Sequence, residues 1–558
     1  MYKKNDEPGD ILLRDWIAYI HDKLGQEQWI TVYSSHRGDW GATYFFSALI
    51  PNSKIEESLN NESWDLHIGD GMPGFSVSYT NGVKQVKYHR FGDDDGIEPL
   101  ILYRQFHGIK NDYVEVSEEF RLFHNLYHDT VNNKFIKIDD SGNEEDVILF
   151  EEDRVQIKLK YLKQFLAIKE MHLAIYFSID RYSNKSLKDY GLMEEVRKTV
   201  KEGNIRYHIF IEESKYPIYD NKPLLSRIEG KKLIPGVPKE KSGIWPYNEQ
   251  EKEEYEEFII DTDENGEPVF YTCNPNELAD YFGKNPGAPH YLTPVFFRRD
   301  VLTKYYSKPE LYSVEDGYLR CGGLWGLRID NNHEKYVVVY LGDLGRDLPP
   351  GERAYWKSFN VTPDGTISDV NWKRNFLGEF ADPEKADLVF KLQFNVFQKK
   401  WQKKFGWPLF KPLSEDDEHN FKALRVPITN EQHEFDQQVL SLAKVLIDSL
   451  NEKQIEQHIP EELPNNTKGI AKLAKFLEAQ GLMDFESYIK FLRSLWDLRI
   501  GAGHRKGDTY QRGAAYFKLE ERPLAQAFAE ILEQATTFLK YLDEKFLSTE
   551  KFPESYDD

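Results

Sequence analysis

The sequence predicts an α+β chain: a mixed α/β N-terminal region of two or three subdomains, then a C-terminal all-α helical bundle. Three observations predict it. Up to about residue 411, short strand-like apolar stretches alternate with turn signals and a few helical periods. From Thr429 onward, apolar residues recur only at three- and four-residue steps. The length of 558 residues exceeds what one core holds, and the usual domain size suggests roughly three or four domains.

Residues 1–185 read as a first α/β domain. Trp29 to Ser34 and Thr43 to Ile50 are strand-like. Phe75 to Thr80 and Val83 to Tyr88 flank Asn81-Gly82, which supplies both positive-φ residues of a type I′ hairpin turn. A helix is expected around Glu118 to Tyr127, short strands near Lys134 and Val147, a helix over Arg154 to Glu170 and a buried strand over His172 to Ile179. Residues 186–411 read as a second α/β region. It holds a strand, Ile205 to Ile211, a Pro- and Lys-rich loop from Lys222 to Pro246, and an acidic run, Glu251 to Glu257, read as a solvated helix face. A hairpin through Asp263-Glu264-Asn265-Gly266 and a strand pair, Gly317 to Ile329 with Tyr336 to Leu341, come next. The region closes with a long helix, opened by Asp382-Pro383 as cap and first-turn proline and ended by Gly406.

Residues 412–428, with the run Ser414-Glu415-Asp416-Asp417-Glu418, read as a linker, and 551–558 as an acidic tail. Between them, 429–550 read as four helices. Phe435, Val439, Leu442 and Leu446 line the first, and Ile470, Leu473 and Leu477 the second. Phe485, Ile489, Leu492 and Leu495 line the third, and Leu524, Phe528, Ile531, Ala535 and Leu539 the fourth.

Composition narrows the function. A hydrophobic fraction of 40% and an aromatic fraction of 14% suffice for packed cores. The net charge of −22 argues against a general nucleic-acid coat protein, although an enzyme can still work through a local basic site. Cys273 and Cys321, the only two cysteines, exclude a disulfide framework or a cysteine zinc cluster and suit a reducing cytoplasm. No apolar leader and no run of about eighteen apolar residues is present, so a cytoplasmic protein with no membrane contact is expected.

Several local patterns fail on mechanism. Gly69-Asp70-Gly71-Met72-Pro73-Gly74 matches the dinucleotide glycine spacing, but a strand follows where a helix is needed, so it reads as a turn. His124, His128 and Asp129 have metal-ligand spacing without the glutamate of a metalloprotease helix, and a structural role is expected. Glu213-Ser214-Lys215 resembles half of a metal-nuclease set whose upstream aspartate cannot be assigned.

The stretch that carries chemistry is Leu495-Trp496-Asp497-Leu498-Arg499-Ile500-Gly501-Ala502-Gly503-His504-Arg505-Lys506. Arg499 falls seven residues after Leu492, on the same apolar face, and a guanidinium there needs a carboxylate or a phosphate. In an unbroken helix Arg499 and His504 would stand about 140° apart. Gly501 and Gly503 allow the chain to unwind after Ile500 and return His504 towards the guanidinium, or both groups to face a partner subunit.

Arg499-x4-His504 after Leu495-Trp496-Asp497-Leu498, closing the penultimate long helix, resembles the signature of the HEPN superfamily over about the last quarter of the chain. The resemblance implies a helical domain, a homodimer and a metal-independent ribonuclease of the kind found in bacterial toxins and antiphage defence proteins, with no cofactor. It implies Arg499 and His504 as the catalytic pair. Ile500 stands where the family often has a polar residue.

RNA carries its own nucleophile, the 2′-hydroxyl, so a proton acceptor, a proton donor and a cation at phosphorus suffice for cleavage. His504 suits the proton transfers, and Arg499 clamps the developing dianion. Asp497 is a weak supporting candidate. Arg505, Lys506 and Arg512 make the following segment locally basic and suit phosphate binding. Lys399, Lys400 and Lys403 are interleaved with Phe397, Trp401 and Phe405, a pattern that single-stranded nucleic acid favours, although basic residues there also complement a helix C-terminus. The N-terminal region would bind a trigger, by analogy with defence proteins. The alternative is an adaptor whose HEPN-like module is an inert dimerisation unit, a reading that Ile500 favours.

Overall fold

The computed structural model describes residues 10–61, 73–91, 96–213, 222–247, 254–464, 466–503 and 507–547. The chain is α+β, as expected, but it divides differently from the sequence reading. One unit comprises Met1–Asp139 with Asn143–Glu253, and the other Asp140–Gly142 with Glu254–Asp558. No boundary falls at 185 or at 411.

The first unit explains why. Its framework is an eleven-stranded sheet built mainly from β1 (Trp29–Gly38), β2 (Gly41–Pro51), β5 (Tyr127–Asp129), β6 (Lys134–Ile138), β7 (Glu144–Phe150), β8 (Arg154–Lys158), β9 (Met171–Ser183), β10 (Val196–Glu202), β11 (Ile205–Glu213) and β12 (Leu224–Pro235). The order is β10-β11-β12-β9-β2-β1-β8-β7-β6-β5, and Glu98–Pro99 pairs with β2 off this path. β9 pairs β2 along one side and β12 along the other, from His172↔Pro235 to Ser183↔Leu224. A cut at 185 would therefore split the centre of one sheet.

Alternation sorts the side chains. Leu173, Ile175, Phe177 and Ile179 of β9 join a large core with Leu162, Phe165 and Leu166 of helix α1 (Leu159–Lys169). Ala174 and Tyr176 face the other way and meet Ile50, Leu233 and Leu59 in a smaller cluster. Apart from this sheet stands a two-stranded hairpin, β3 (Gly74–Thr80) and β4 (Val83–His89), turned by Asn81 at φ 51 and Gly82 at φ 80 as the sequence predicts.

Two readings in this unit are corrected. The segment from Lys222 to Pro246 is not all loop, because β12 runs through it as a central, largely buried strand. The helix expected from Arg154 starts only at Leu159; Val155 and Ile157 alternate inward as β8.

The second unit begins with small sheets. Pro294–Arg298 lies between Tyr336–Tyr340 and Asn360–Val361, and a separate meander joins Tyr312–Glu315, Tyr318–Cys321 and Trp325–Arg328. The two halves of the expected strand pair thus sit in different sheets. Residues 254–256 carry no helix and Glu257 opens a strand, so the described part of the acidic run is not a helix face.

Helices follow: α2 (Ala386–Phe405), α3 (Gln432–Ala443), α4 (Gly469–Ala479), α5 (Glu486–Gly503), α6 (Asp508–Tyr516) and α7 (Leu524–Leu547). The α2 helix ends at Gly406, φ 75, as expected, and starts after Lys385 rather than at Asp382. Its Phe390, Phe397 and Trp401 are fully buried in one core with Phe435, Leu473, Leu492 and Phe528 from the later helices. The segment 412–428 is no linker. Leu424 lies in that core, and Arg425 donates to Glu434 at 2.9 Å in a buried pair. Among the described residues no helix is long and apolar enough to cross a membrane.

Candidate functional site

The α5 helix forms because Ile489, Leu492, Leu495 and Leu498 recur along one stripe and bury it in the helical core. Arg499 lies one residue past the last of them. Its Nη2 donates to Oδ2 of Asp448 at 2.7 Å, and the guanidinium carbon sits 4.4 Å from the centre of the Trp496 ring. Asp448 ends a single π-helical turn, Lys444–Asp448, that continues α3. The acceptor that the sequence demanded for Arg499 is thus a carboxylate. The pair stands at the surface of the core, with 31% of the arginine side chain and 22% of the aspartate exposed. Nε and Nη1 of Arg499 have no hydrogen-bond partner among the described residues. Among the described residues the cation is held by one edge and one face.

Asp448 was not singled out from the sequence. Its signal lies in the register: it follows the buried apolar run Val445, Leu446 and Ile447, before Leu450, at the edge of the core.

The two glycines behave otherwise than expected. The α5 helix continues through Gly501 to Gly503, so the chain does not unwind after Ile500. Gly501 serves a different purpose. A Cβ placed there would come within 2.3 Å of the Tyr510 ring on α6, and one at Gly513 within 2.9 Å of the Ser494 carbonyl. The glycines let α5 and α6 approach closely. His504, Arg505 and Lys506 lie outside the described residues.

Asp497 does not serve Arg499. It accepts from Nε of Arg512 on α6 at 3.4 Å, and Arg512 is 65% exposed. The segment after the motif, read as a basic loop, is helical from Asp508 to Tyr516. On α2, Lys399 and Lys403 are exposed, whereas Lys400 is held by Asp543 at 3.1 Å. The aromatic half of that pattern packs inward, with Phe397 and Trp401 fully buried and Phe405 half-buried against the same core.

The remaining candidates resolve into structure. His124 follows the helix Glu118–Phe123, is buried, and its Nε2 lies 2.9 Å from the Tyr161 carbonyl. Burial pulls its pKa down to about 4. His128 lies on β5 and stacks on Phe135 at 4.3 Å. No group of described residues could hold a metal ion. Glu213 accepts from the Leu187 amide at 2.6 Å, while Ser214 and Lys215, like residues 69–72 of the glycine pattern, lie outside the described residues. A polar cavity of about 210 Å³ lies between Tyr318, Arg328, Tyr340 and Arg374. Its carboxylates are already satisfied, Asp330 by Ser368 and Asp316 by Arg374 and Asn332.

No family model, no curated protein and no solved structure matches this chain.

Proposed function

We propose that the C-terminal helical region is a metal-independent endoribonuclease of the HEPN type, working as a homodimer, with Arg499 as phosphate clamp and His504 as general acid/base. The single observation that carries this reading is the state of Arg499. An always-charged group is fixed by Asp448 and Trp496 at the edge of a packed helix, with Nε and Nη1 left for phosphate oxygens. In the reaction a base takes the 2′-hydroxyl proton, the 2′-oxygen bonds to phosphorus, and the P–O5′ bond breaks as its oxygen is protonated. The products are a 2′,3′-cyclic phosphate and a 5′-hydroxyl. Positioned proton transfer contributes about 10²–10⁴-fold, and a fixed donor at the charged oxygens about 10²–10³-fold. A toxin or antiphage effector, with a trigger-binding N-terminal region, is the setting that the same resemblance suggests.

The test is incubation of the wild type, Arg499→Ala and His504→Ala with total cellular RNA, with and without EDTA. Breakage that needs both residues, resists EDTA and leaves cyclic phosphate ends supports the proposal. Breakage that survives both substitutions refutes it.

The Arg499–Asp448 pair also favours a second reading, since such a pair can simply hold α5 against the turn after α3. With Ile500 beside it, the module would then be an inert dimerisation unit of an adaptor. No breakage under any condition, infected-cell extract included, favours that reading.

A further inference from the structure

The β3–β4 hairpin of the first unit is exposed on both faces, yet its two faces differ in chemistry. Register pairs Phe75 with Tyr88, Val77 with Val86 and Tyr79 with Lys84, and alternation puts all six on one side. The opposite side carries Ser76, Ser78, Thr80, Gln85 and Lys87, with Val83 as its one large apolar residue. On the apolar side Phe75 is 74% exposed, Tyr79 70% and Tyr88 58%. Among the described residues another exposed apolar group, Trp372 stacked on Phe376 with Leu377 and Phe380 following, lies on a helical stretch and its end. The apolar residues of β3 and β4 instead form one face of a sheet that a two-stranded hairpin cannot bury alone.

Charge decides what fits this face. From Gly74 to Phe91 the chain has Lys84, Lys87 and Arg90 and no aspartate or glutamate, within a protein of net charge −22. A basic, aromatic arm on an acidic molecule is complementary to a polyanion that carries flat apolar groups. The rings have room to stack. Phe75 and Tyr88 meet edge-on with centroids 5.6 Å apart, and Tyr79 stands two same-side positions along the strand, about 13 Å from Phe75. Stacking on such rings tolerates any sequence, while Lys84 beside them meets the backbone. A second copy of the chain fits less well. A stable dimer buries about 800 Å² per partner, from about 20–30 residues a side. One face of this hairpin supplies far fewer, and lysine is depleted in such interfaces.

We propose that the β3–β4 hairpin is a docking arm for single-stranded nucleic acid, with unpaired bases stacked on Phe75, Tyr79 and Tyr88 and a phosphate held by Lys84 on the same face. The site is independent of the proposed nuclease residues, so binding is read without cleavage. The full chain carrying Arg499→Ala is titrated into a fluorescein-labelled oligouridylate and the anisotropy followed as salt is raised. Binding should weaken steeply with salt. Tyr79→Ala with Tyr88→Ala should raise Kd by about 10-fold or more. Lys84→Ala should lower the salt slope by about one. These side chains are exposed, so an unchanged circular dichroism spectrum is expected. No binding by the parent, equal binding of a blunt duplex, or variants that bind like the parent would overturn the proposal. So would a dimer, seen by light scattering, that the tyrosine substitutions dissolve, because it would place a second copy on this face.

Discussion

Arg499 and Lys231 show opposite solutions to the same problem, a cation beside a core. Arg499 finds a carboxylate and a ring at the core's edge. Replacing it with lysine keeps the charge but loses the fork that, on the proposed function, would reach Asp448 and a phosphate together. Arg499→Lys should therefore reduce RNA cleavage by about 10²-fold or more. The melting transition should move by less than about 1 kcal/mol, because a pair this exposed is screened. An equal loss of stability with unaltered cleavage would assign the pair a structural role. Lys231 sits on β12, 1% exposed, with no hydrogen-bond acceptor and the Tyr176 ring centre 5.9 Å away. Desolvation, with Arg206 adding to it, lowers its pKa to about 8. Between that value and the unfolded value near 10.5 the unfolded chain holds a proton that the folded one has lost, so stability rises with pH across this window. At pH 7 nearly the full penalty, roughly 3 kcal/mol, remains. Lys231→Met should raise the melting temperature at pH 7 and do so much less at pH 10; a gain that is the same at both pH values would disprove the assignment. His124 has the same sign in a lower window. Its folded pKa of about 4 lies below the unfolded 6.5, so the stability that its neutral form allows is intact above 6.5 and falls as pH drops towards 4. Acid titration of the melting temperature should lose that component in His124→Gln. The neighbouring Lys232 shows how much alternation matters. It points to the other side and donates to the Ile20 and His21 carbonyls.

At the scale of single elements, the glycines of the motif give the sharpest test. The sequence suggested that Gly501 ends a helix, and the structure uses it to seat Tyr510. The two roles predict opposite signs. Were backbone freedom all that mattered, Gly501→Ala inside α5 would stabilise by about 1 kcal/mol. Against the Tyr510 ring it should instead cost about 1–3 kcal/mol, since the ring's Cγ and the Cβ also lie within 2.6 Å and cannot both move aside. In a Tyr510→Ala background the ring's share of the cost should disappear while the Cβ contact at 2.5 Å remains, so the cost should fall without reaching zero, which a double-mutant cycle in denaturant measures. The amphipathic helices α3, α4, α5 and α7 and the Asn81-Gly82 hairpin were legible because their information is local: an apolar period, or a turn that only certain residues adopt. β12 was not. Its lysines and flanking prolines look like loop, and what makes it a strand is pairing with β9 and β11, which the local sequence does not carry. The candidate site was legible in the same limited way. The need of Arg499 for an acceptor could be read, but the identity of Asp448, fifty-one residues earlier, could not.

For the molecule as a whole, the question is where the helical region begins. Composition placed its start after the acidic stretch at 412–428, and a fragment cloned on that basis would open at Thr429. Such a fragment lacks α2, whose Phe390, Phe397 and Trp401 are wholly buried in the core that α3, α4, α5 and α7 share. It also lacks Lys400 and Lys404, which reach Asp543 and the Phe546 carbonyl on α7. Losing one large buried aromatic side chain costs about 3–5 kcal/mol, and losing three at once exceeds half or more of the 5–15 kcal/mol that typical domains have to spare. The fragment from 429 should accordingly show helical circular dichroism without a cooperative thermal transition. A fragment from Pro383, which restores α2 and the 412–428 segment with its Leu424 and Arg425–Glu434 contacts, should melt in a single step. Cooperative melting of the shorter fragment would mean that α2 is an accessory to the bundle. In that case the basic face of α2 would be separable from Arg499, and the aromatic residues that bury it would be filling a surface rather than completing a core.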